Sequence, residues 1–129
     1  YGPIGRRVTE ALQRAGVRCT VIELNPATVR QESRAGQAIL FGDVANQEVL
    51  HSAGIDQADA LILTMPDEEA AARACAVARS RAPEIFIVAR AHGLSREPAL
   101  REMGADVVTV DEAAAAQSML SAVLKRFAV

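Results

Sequence analysis

The sequence predicts an α/β fold built on a doubly wound parallel sheet, and three observations carry that prediction. Short apolar, β-branched runs alternate with stretches of helical periodicity at a spacing of roughly 20 to 25 residues, the signature of strand-helix units joined by right-handed crossovers. The clearest run, Ala60 to Thr64, is unbroken by polar residues, as in a strand buried on both faces of a parallel sheet. The chain also opens on Tyr1-Gly2-Pro3-Ile4-Gly5, in which Gly2 and Gly5 fit the second and third glycines of a G-x-G-x-x-G phosphate-binding turn running into a helix. Together these specify a sheet of the Rossmann type. Its 129 residues, half of them hydrophobic, are enough for one domain with a proper core, spanning 1–129.

Taken in order, Ile4, Val8, Ala11, Leu12 and Ala15 recur at helical spacing, and Gly16 supplies a stop. Arg18 to Leu24 then reads as a strand. Asn25-Pro26 provides an N-cap followed by proline at the first helical position, so a helix runs from Pro26 to about Ala35 and closes at Gly36. Gln37 to Phe41 is the next strand, and Asn46 caps a helix from Gln47 to Ala53 that Gly54 ends. After the Ala60–Thr64 strand, Asp67, Glu68 and Glu69 crowd the first turn of an alanine-rich helix that finishes with Arg79 and Arg81. Those charges complement the helix dipole at both ends. A strand from Ile85 to Ala89, a helix from Ser95 to Met103, a strand from Asp106 to Val110 and a helix from Asp111 to Phe127 complete the chain. The last helix carries a wide apolar stripe, expected to serve partly as core and partly as a partner face.

Only a strand in front of Gly2 is missing from this pattern. In the order 3-2-1-4-5-6 it would be central, between the Arg18 and Ala60 strands. The natural protein is therefore expected to carry an apolar strand ending in glycine before Tyr1, with this chain a fragment truncated at its first strand.

Composition narrows the function. A formal charge of −2 offers no basic field for nucleic acid or anionic lipid, and the few aromatics, Tyr1, Phe41, Phe86 and Phe127, give no stacking platform. Cys19 and Cys75 sit in apolar periodic segments without metal or redox spacing, and are read as reduced core thiols. No signal peptide is visible and no apolar run approaches the ~20 residues of a membrane span, so the piece is expected to be soluble. Thirteen arginines accompany a single lysine, Lys125, and the only tyrosine is Tyr1, so a Tyr-x-x-x-Lys dehydrogenase pair is impossible.

In such a sheet ligands sit beyond the carboxyl ends of the strands. Gly2, Pro3, Ile4 and Gly5 place the start of the first helix against phosphate, where the dipole favours an anion, and Arg6 could face the same group. Glu23, twenty-one residues after Gly2, is placed to accept hydrogen bonds from both ribose hydroxyls and to repel a 2′-phosphate, favouring NAD(H), AMP or ATP over NADP. Leu24 and Asn25 follow it. Asp43 and Val44, after the third strand position, would lie near the adenine; Thr64, Met65 and Pro66 would line the far half of the site. Arg90 could reach a phosphate or an acid on a neighbouring subunit. His51 and His92 are read as solvated or structural.

These residues carry a resemblance. Gly2-x-x-Gly5, Val21-Ile22-Glu23-x-Asn25, Gly42-Asp43-Val44 with Leu50 and Ala53-Gly54-Ile55, and Leu61-Ile62-Leu63-Thr64-x-Pro66 resemble the nucleotide-binding regulatory domain of potassium channels and transporters, the RCK N-terminal, TrkA-N or KTN type. Ile87-Val88-Ala89-Arg90-Ala91 and Gly104-Ala105-Asp106-Val107-Val108, followed by an acidic-alanine helix, are similar to the cytoplasmic C-terminal domain of Kef-type cation:proton antiporters of the CPA2 family. One departure is Pro3, where the family often has a polar or basic residue. The resemblance implies a homodimeric module, on the cytoplasmic side of the inner membrane, that senses NAD(H) or an adenine nucleotide rather than transforming it. Gly2 and Gly5 would hold phosphate, Glu23 the ribose, Asp43 the adenine side, and Arg90 the outer phosphate or a subunit contact. The transporter domain would lie in the same or a separate chain, and neither metal nor nucleic acid is implied. The alternatives are a small NAD-dependent oxidoreductase fragment and a standalone TrkA-like subunit of a potassium uptake system.

Overall fold

Helix starts and stops follow local chemistry in a computed structural model that describes residues 1–127. Helix α1 (Pro3–Arg14) leads to strand β1 (Val21–Glu23), α2 (Pro26–Arg34), β2 (Ile39–Phe41) and α3 (Gln47–Ala53). The second half comprises β3 (Ala60–Leu63), α4 (Glu68–Arg81), β4 (Phe86–Ala91), α5 (Glu97–Glu102), β5 (Val107–Val110) and α6 (Asp111–Phe127). The two predicted caps are in place, and Asp67, read from the sequence as part of the first turn of α4, proves to be its cap. Asn25 Oδ1 accepts from the Ala27 amide at 2.9 Å, Asn46 Oδ1 from Glu48 and Val49 at 2.8 and 3.1 Å, and Asp67 Oδ1 from Ala70 at 3.1 Å. Gly54 ends α3 in the left-handed region, at φ 91°, which side chains rarely adopt.

Several elements differ in extent from the sequence reading: the strand expected from Gln37 to Phe41 is Ile39–Phe41, and that expected from Ile85 to Ala89 is Phe86–Ala91. Of the predicted strand from Arg18 to Leu24, only Val21–Glu23 pairs, because its partner β2 is itself three residues long. The predicted helix from Ser95 starts as a 3₁₀ turn, Leu94–Arg96, and becomes α-helical at Glu97. Pro98 has no N–H with which to reach back to the Leu94 carbonyl, so the α pattern cannot begin earlier.

All strand pairs are parallel. β1 pairs with β2, and β3, β4 and β5 form a second sheet in the order β3-β4-β5. Among the described residues, no strand joins the two sheets. Between β1 and β3, at the central position the sequence assigns to a further strand, lies a cleft of about 730 Å³ lined by Val21 and Ile22, Ala60 to Ile62, and the inner faces of α1 and α3.

The core lies in the three-stranded half. Leu63, Ile87, Ala89, Val108 and Val110 meet Ala71, Ala74, Cys75 and Ala78 of α4, whose small side chains let the helix sit close on the sheet. Burial pushes the Cys75 thiol up, as expected of an inert core cysteine. Cys19 is instead half-buried at the cleft, not in the core. α6 also departs from expectation. None of its residues is buried, it packs chiefly against β5, and Met119, Leu120, Val123, Leu124 and Phe127 stand in solvent. None of the helices among the described residues is long and apolar enough to cross a membrane.

Candidate functional site

Parallel pairing sets Glu23 beside Gly42-Asp43 in one sheet and Thr64 beside Arg90 in the other, and the start of α1 touches both sheets, with Tyr1 at Glu23 and Gly5 against Thr64. The first intrahelical bond of α1 is from the Arg6 amide to the Gly2 carbonyl at 2.9 Å, so the amides of Ile4 and Gly5 have no partner within the helix. Pro3 has no amide to offer. A side chain at Gly2 would meet no atom within 4 Å, so the space over the turn is open. Gly5 is the opposite case: a Cβ there would lie 2.9 Å from Thr64 Oγ1. Its bareness lets α1 rest against the end of β3, and so joins the glycine turn to Thr64.

Glu23 faces the same turn. The terminal amine of Tyr1 lies on its Oε1, and the Asn25 amide donates to Oε2 at 3.0 Å. Burial raises its pKa, while the Asn25 and Leu24 amides that point at the carboxylate lower it. An acid that accepts main-chain amides therefore sits next to a helix N-terminus. Leu24 is exposed at the rim, and the Asn25 side chain is occupied in capping α2.

Asp43 lies one step along the edge, since the Gly42 amide donates to the Glu23 carbonyl at 2.9 Å. Its Oδ1 accepts from the Ala45 amide at 2.9 Å. It opens onto a separate groove of about 460 Å³ that it shares with Arg73 and Met103. Val44 and Met65 pack against the core rather than the surface, while Pro66 is exposed.

The two arginines are both engaged within the chain. Arg6 Nη2 donates to Glu32 Oε1 at 2.6 Å and its guanidinium lies 4.6 Å from the Tyr1 ring centroid, tying α1 to the buried Glu32 of α2. Arg90 Nε and Nη2 donate to both carboxylate oxygens of Asp111 at 2.8 to 3.1 Å, and Nη1 donates to the Thr64 carbonyl at 2.9 Å. The sequence reading passed over Glu32 and Asp111. A lone acid on the inner face of α2 and an acid closing the last strand were the available signals. His51 is structural, bonded to Asp56 at 3.0 Å beside Arg81. His92 is exposed, its ring 3.6 Å from Asp111. The described residues include no cluster able to hold a metal ion.

The fold recurs in known proteins. Residues 1–111 match the TrkA-N domain family. The chain belongs to that family. Over 120 residues this TrkA-N domain is 33% identical to the putative cation/proton antiporter YbaL of Escherichia coli strain K12, covering 93% of this chain and 22% of that protein. Over 104 residues it is 26% identical to the glutathione-regulated potassium-efflux system protein KefC of Cronobacter sakazakii, covering 81% of this chain and 17% of that one. The chain thus spans about a fifth of the length of the curated relatives it matches. Among solved structures, the TrkA-N domain of the E. coli inner membrane protein YbaL superposes with a TM-score of 0.89 at 33% identity, over 94% of this chain and 90% of that one. The Kef C-terminal domain of Shewanella denitrificans in its AMP-bound form has the same fold, with a TM-score of 0.83 at 20% identity, over 98% of this chain and 77% of that one.

Proposed function

We propose that this TrkA-N domain binds an adenine nucleotide, either NAD(H) or AMP/ATP, and through it regulates a cation:proton antiporter that moves potassium or another monovalent cation. The observation that carries this reading is the convergence of three groups at the start of α1. These are the open glycine turn with its free Ile4 and Gly5 amides, the Glu23 carboxylate beside it, and Thr64 packed against Gly5. The turn suits a phosphate, the carboxylate suits a ribose diol, and Asp43 beyond them would lie on the adenine side. A neighbouring fold that holds AMP, and relatives that are antiporters and a potassium-efflux protein, support the ligand class and the transport setting.

The domain acts by binding, without transforming its ligand. A further parallel strand, apolar and ending in glycine, fills the cleft between β1 and β3 and completes the phosphate turn, so the working unit is larger than this chain. It sits at the cytoplasmic face of the inner membrane as a homodimer, with the exposed stripe of α6 as the face available to a second copy.

Titration of the full-length protein with AMP, NAD⁺ and NADP⁺ by calorimetry, alongside ion flux in proteoliposomes, tests the reading. AMP and NAD⁺ bind saturably, NADP⁺ at least tenfold more weakly, and flux changes with occupancy. Glu23→Gln weakens AMP and NAD⁺ by about tenfold, the loss expected for a charged hydrogen-bond acceptor. Absence of binding at millimolar AMP and NAD⁺ would sink the proposal.

A further inference from the structure

Arg90, at the end of its strand, is built into the protein. Its guanidinium lies across the end of the three-stranded sheet and touches elements on both sides of its own strand. On one side it donates to the main-chain carbonyl of Thr64, where β3 gives way to the loop before α4. On the other it grips both carboxylate oxygens of Asp111, the first residue of α6. The register explains the reach: Leu63 pairs with Ala89 and Val110 with Ala91, so Thr64 and Asp111 flank Arg90 one step beyond the ladder on each side.

The two ends of this bridge have different status. Thr64 belongs to the candidate site, since its Oγ1 packs against Gly5 of the glycine turn. α6 packs chiefly against β5. It has no buried residue, and it is anchored at its first turn by Asp111 and by the bond from the Glu112 amide to the His92 carbonyl at 3.2 Å. A rigid helix of 17 residues is about 25 Å long, so a tilt of about 10° at its root moves its tip by about 4 Å. Whatever shifts Thr64 therefore pulls on the root of a lever whose far end carries the exposed apolar stripe.

We infer that Asp111 is a positioning residue which, through Arg90 and the Thr64 carbonyl, relays occupancy of the glycine-turn site to the orientation of α6. This rests on the nucleotide-binding reading above. For a ligand to move α6 it must favour one setting of the clamp over another, and any such coupling is reciprocal. A bidentate, charge-assisted contact suits the task because its geometry is fixed at both ends. A single point charge in its place would tolerate sliding.

Hydrogen exchange of α6 peptides (residues 113–127) in the full-length protein, with and without saturating AMP, tests the relay, with calorimetry reporting binding separately. In the wild-type protein AMP changes α6 exchange rates by threefold or more. Asp111→Asn keeps a good helix-terminus residue but loses the charged clamp. It still binds AMP saturably, while its α6 rates become the same with and without ligand. Asp111→Glu restores at least part of the response. A wild-type protein that binds no AMP overturns the functional reading itself. A wild-type protein that binds AMP with α6 unchanged overturns the relay alone, and that comparison stands even if Asp111→Asn is too unstable to use. A full response in Asp111→Asn, or loss of AMP binding by that variant while it remains folded, also overturns the relay.

Discussion

At the scale of single residues, the bareness of Gly5 lets Thr64 sit against the glycine turn. A Cβ at position 5 would stand 2.9 Å from Thr64 Oγ1, but the next atom, Thr64 Cβ, is 3.8 Å away, an ordinary contact. The clash is therefore with one oxygen. Gly5→Ala is expected to destabilise the fold by about 1–3 kcal/mol, the usual cost of overpacking. In the double variant Gly5→Ala/Thr64→Ala most of that cost disappears, which appears as strong non-additivity in a urea-denaturation cycle. Additive losses would mean that the glycine is needed for its backbone rather than for its lack of a side chain. Arg79 shows the same economy in a structural role. It donates to the carbonyls of Pro83, Ile85 and Gly104 and to Asp106, closing the edge of the sheet opposite the candidate site. Such a residue is invisible in sequence, because three of its four partners are main-chain atoms.

At the scale of elements, the helices divide by what holds them. α4 needs no special help, since its alanine face is fully covered by the sheet. α3 is only seven residues long and depends on the double cap from Asn46 and on the burial of Leu50. α6 has neither kind of support along its length, and at 17 residues it is only just longer than the ~12–15 below which a lone helix is marginal in water. Its exposed Leu120, Val123 and Phe127 recur at intervals that place them on one face. If that face joins two copies, Leu120→Asp/Val123→Asp shifts the protein from dimer to monomer in sedimentation velocity and weakens association at least tenfold. The melting temperature of the separated domain then changes little, because surface substitutions rarely cost more than about 0.5 kcal/mol. A protein that sediments as a monomer before substitution argues against the dimer.

At the scale of the whole molecule, three aspartates link the fold to pH. Arg81, then His51, hold Asp56 down to about 2. The Ile87 amide, then Arg79, lower Asp106, and Arg90 lowers Asp111. Each carboxyl has a lower pKa folded than unfolded, so the unfolded chain takes up protons first as pH falls. The stability these groups contribute is complete above the unfolded value of ~3.9 and is lost as pH drops towards the folded values. The urea midpoint should be flat from pH 7 to about 5 and fall steadily between about 4 and 2, with a smaller fall in Asp111→Asn. A midpoint unchanged down to pH 3 would contradict the assigned pairs.

Much of this architecture was legible in the residues, for reasons that are local. Caps at Asn25 and Asn46, the turn at Gly54 and the alternation of apolar runs act over a few positions, so the sequence by itself determined the order of elements and the parallel sheet. It also determined that Glu23 ends its strand beside Gly42-Asp43, because parallel pairing sets the two strand ends together. What only the tertiary structure decided depends on residues brought together from distant parts of the chain. The partners of the two arginines were not legible: Arg6 is committed to Glu32 across two helices, and Arg90 to Asp111 across a strand. The solvent position of α6 was also undecided by its pattern, since an apolar stripe looks the same whether a sheet covers it or not. Periodicity records which face of a helix is apolar; only packing determines what, if anything, lies against that face.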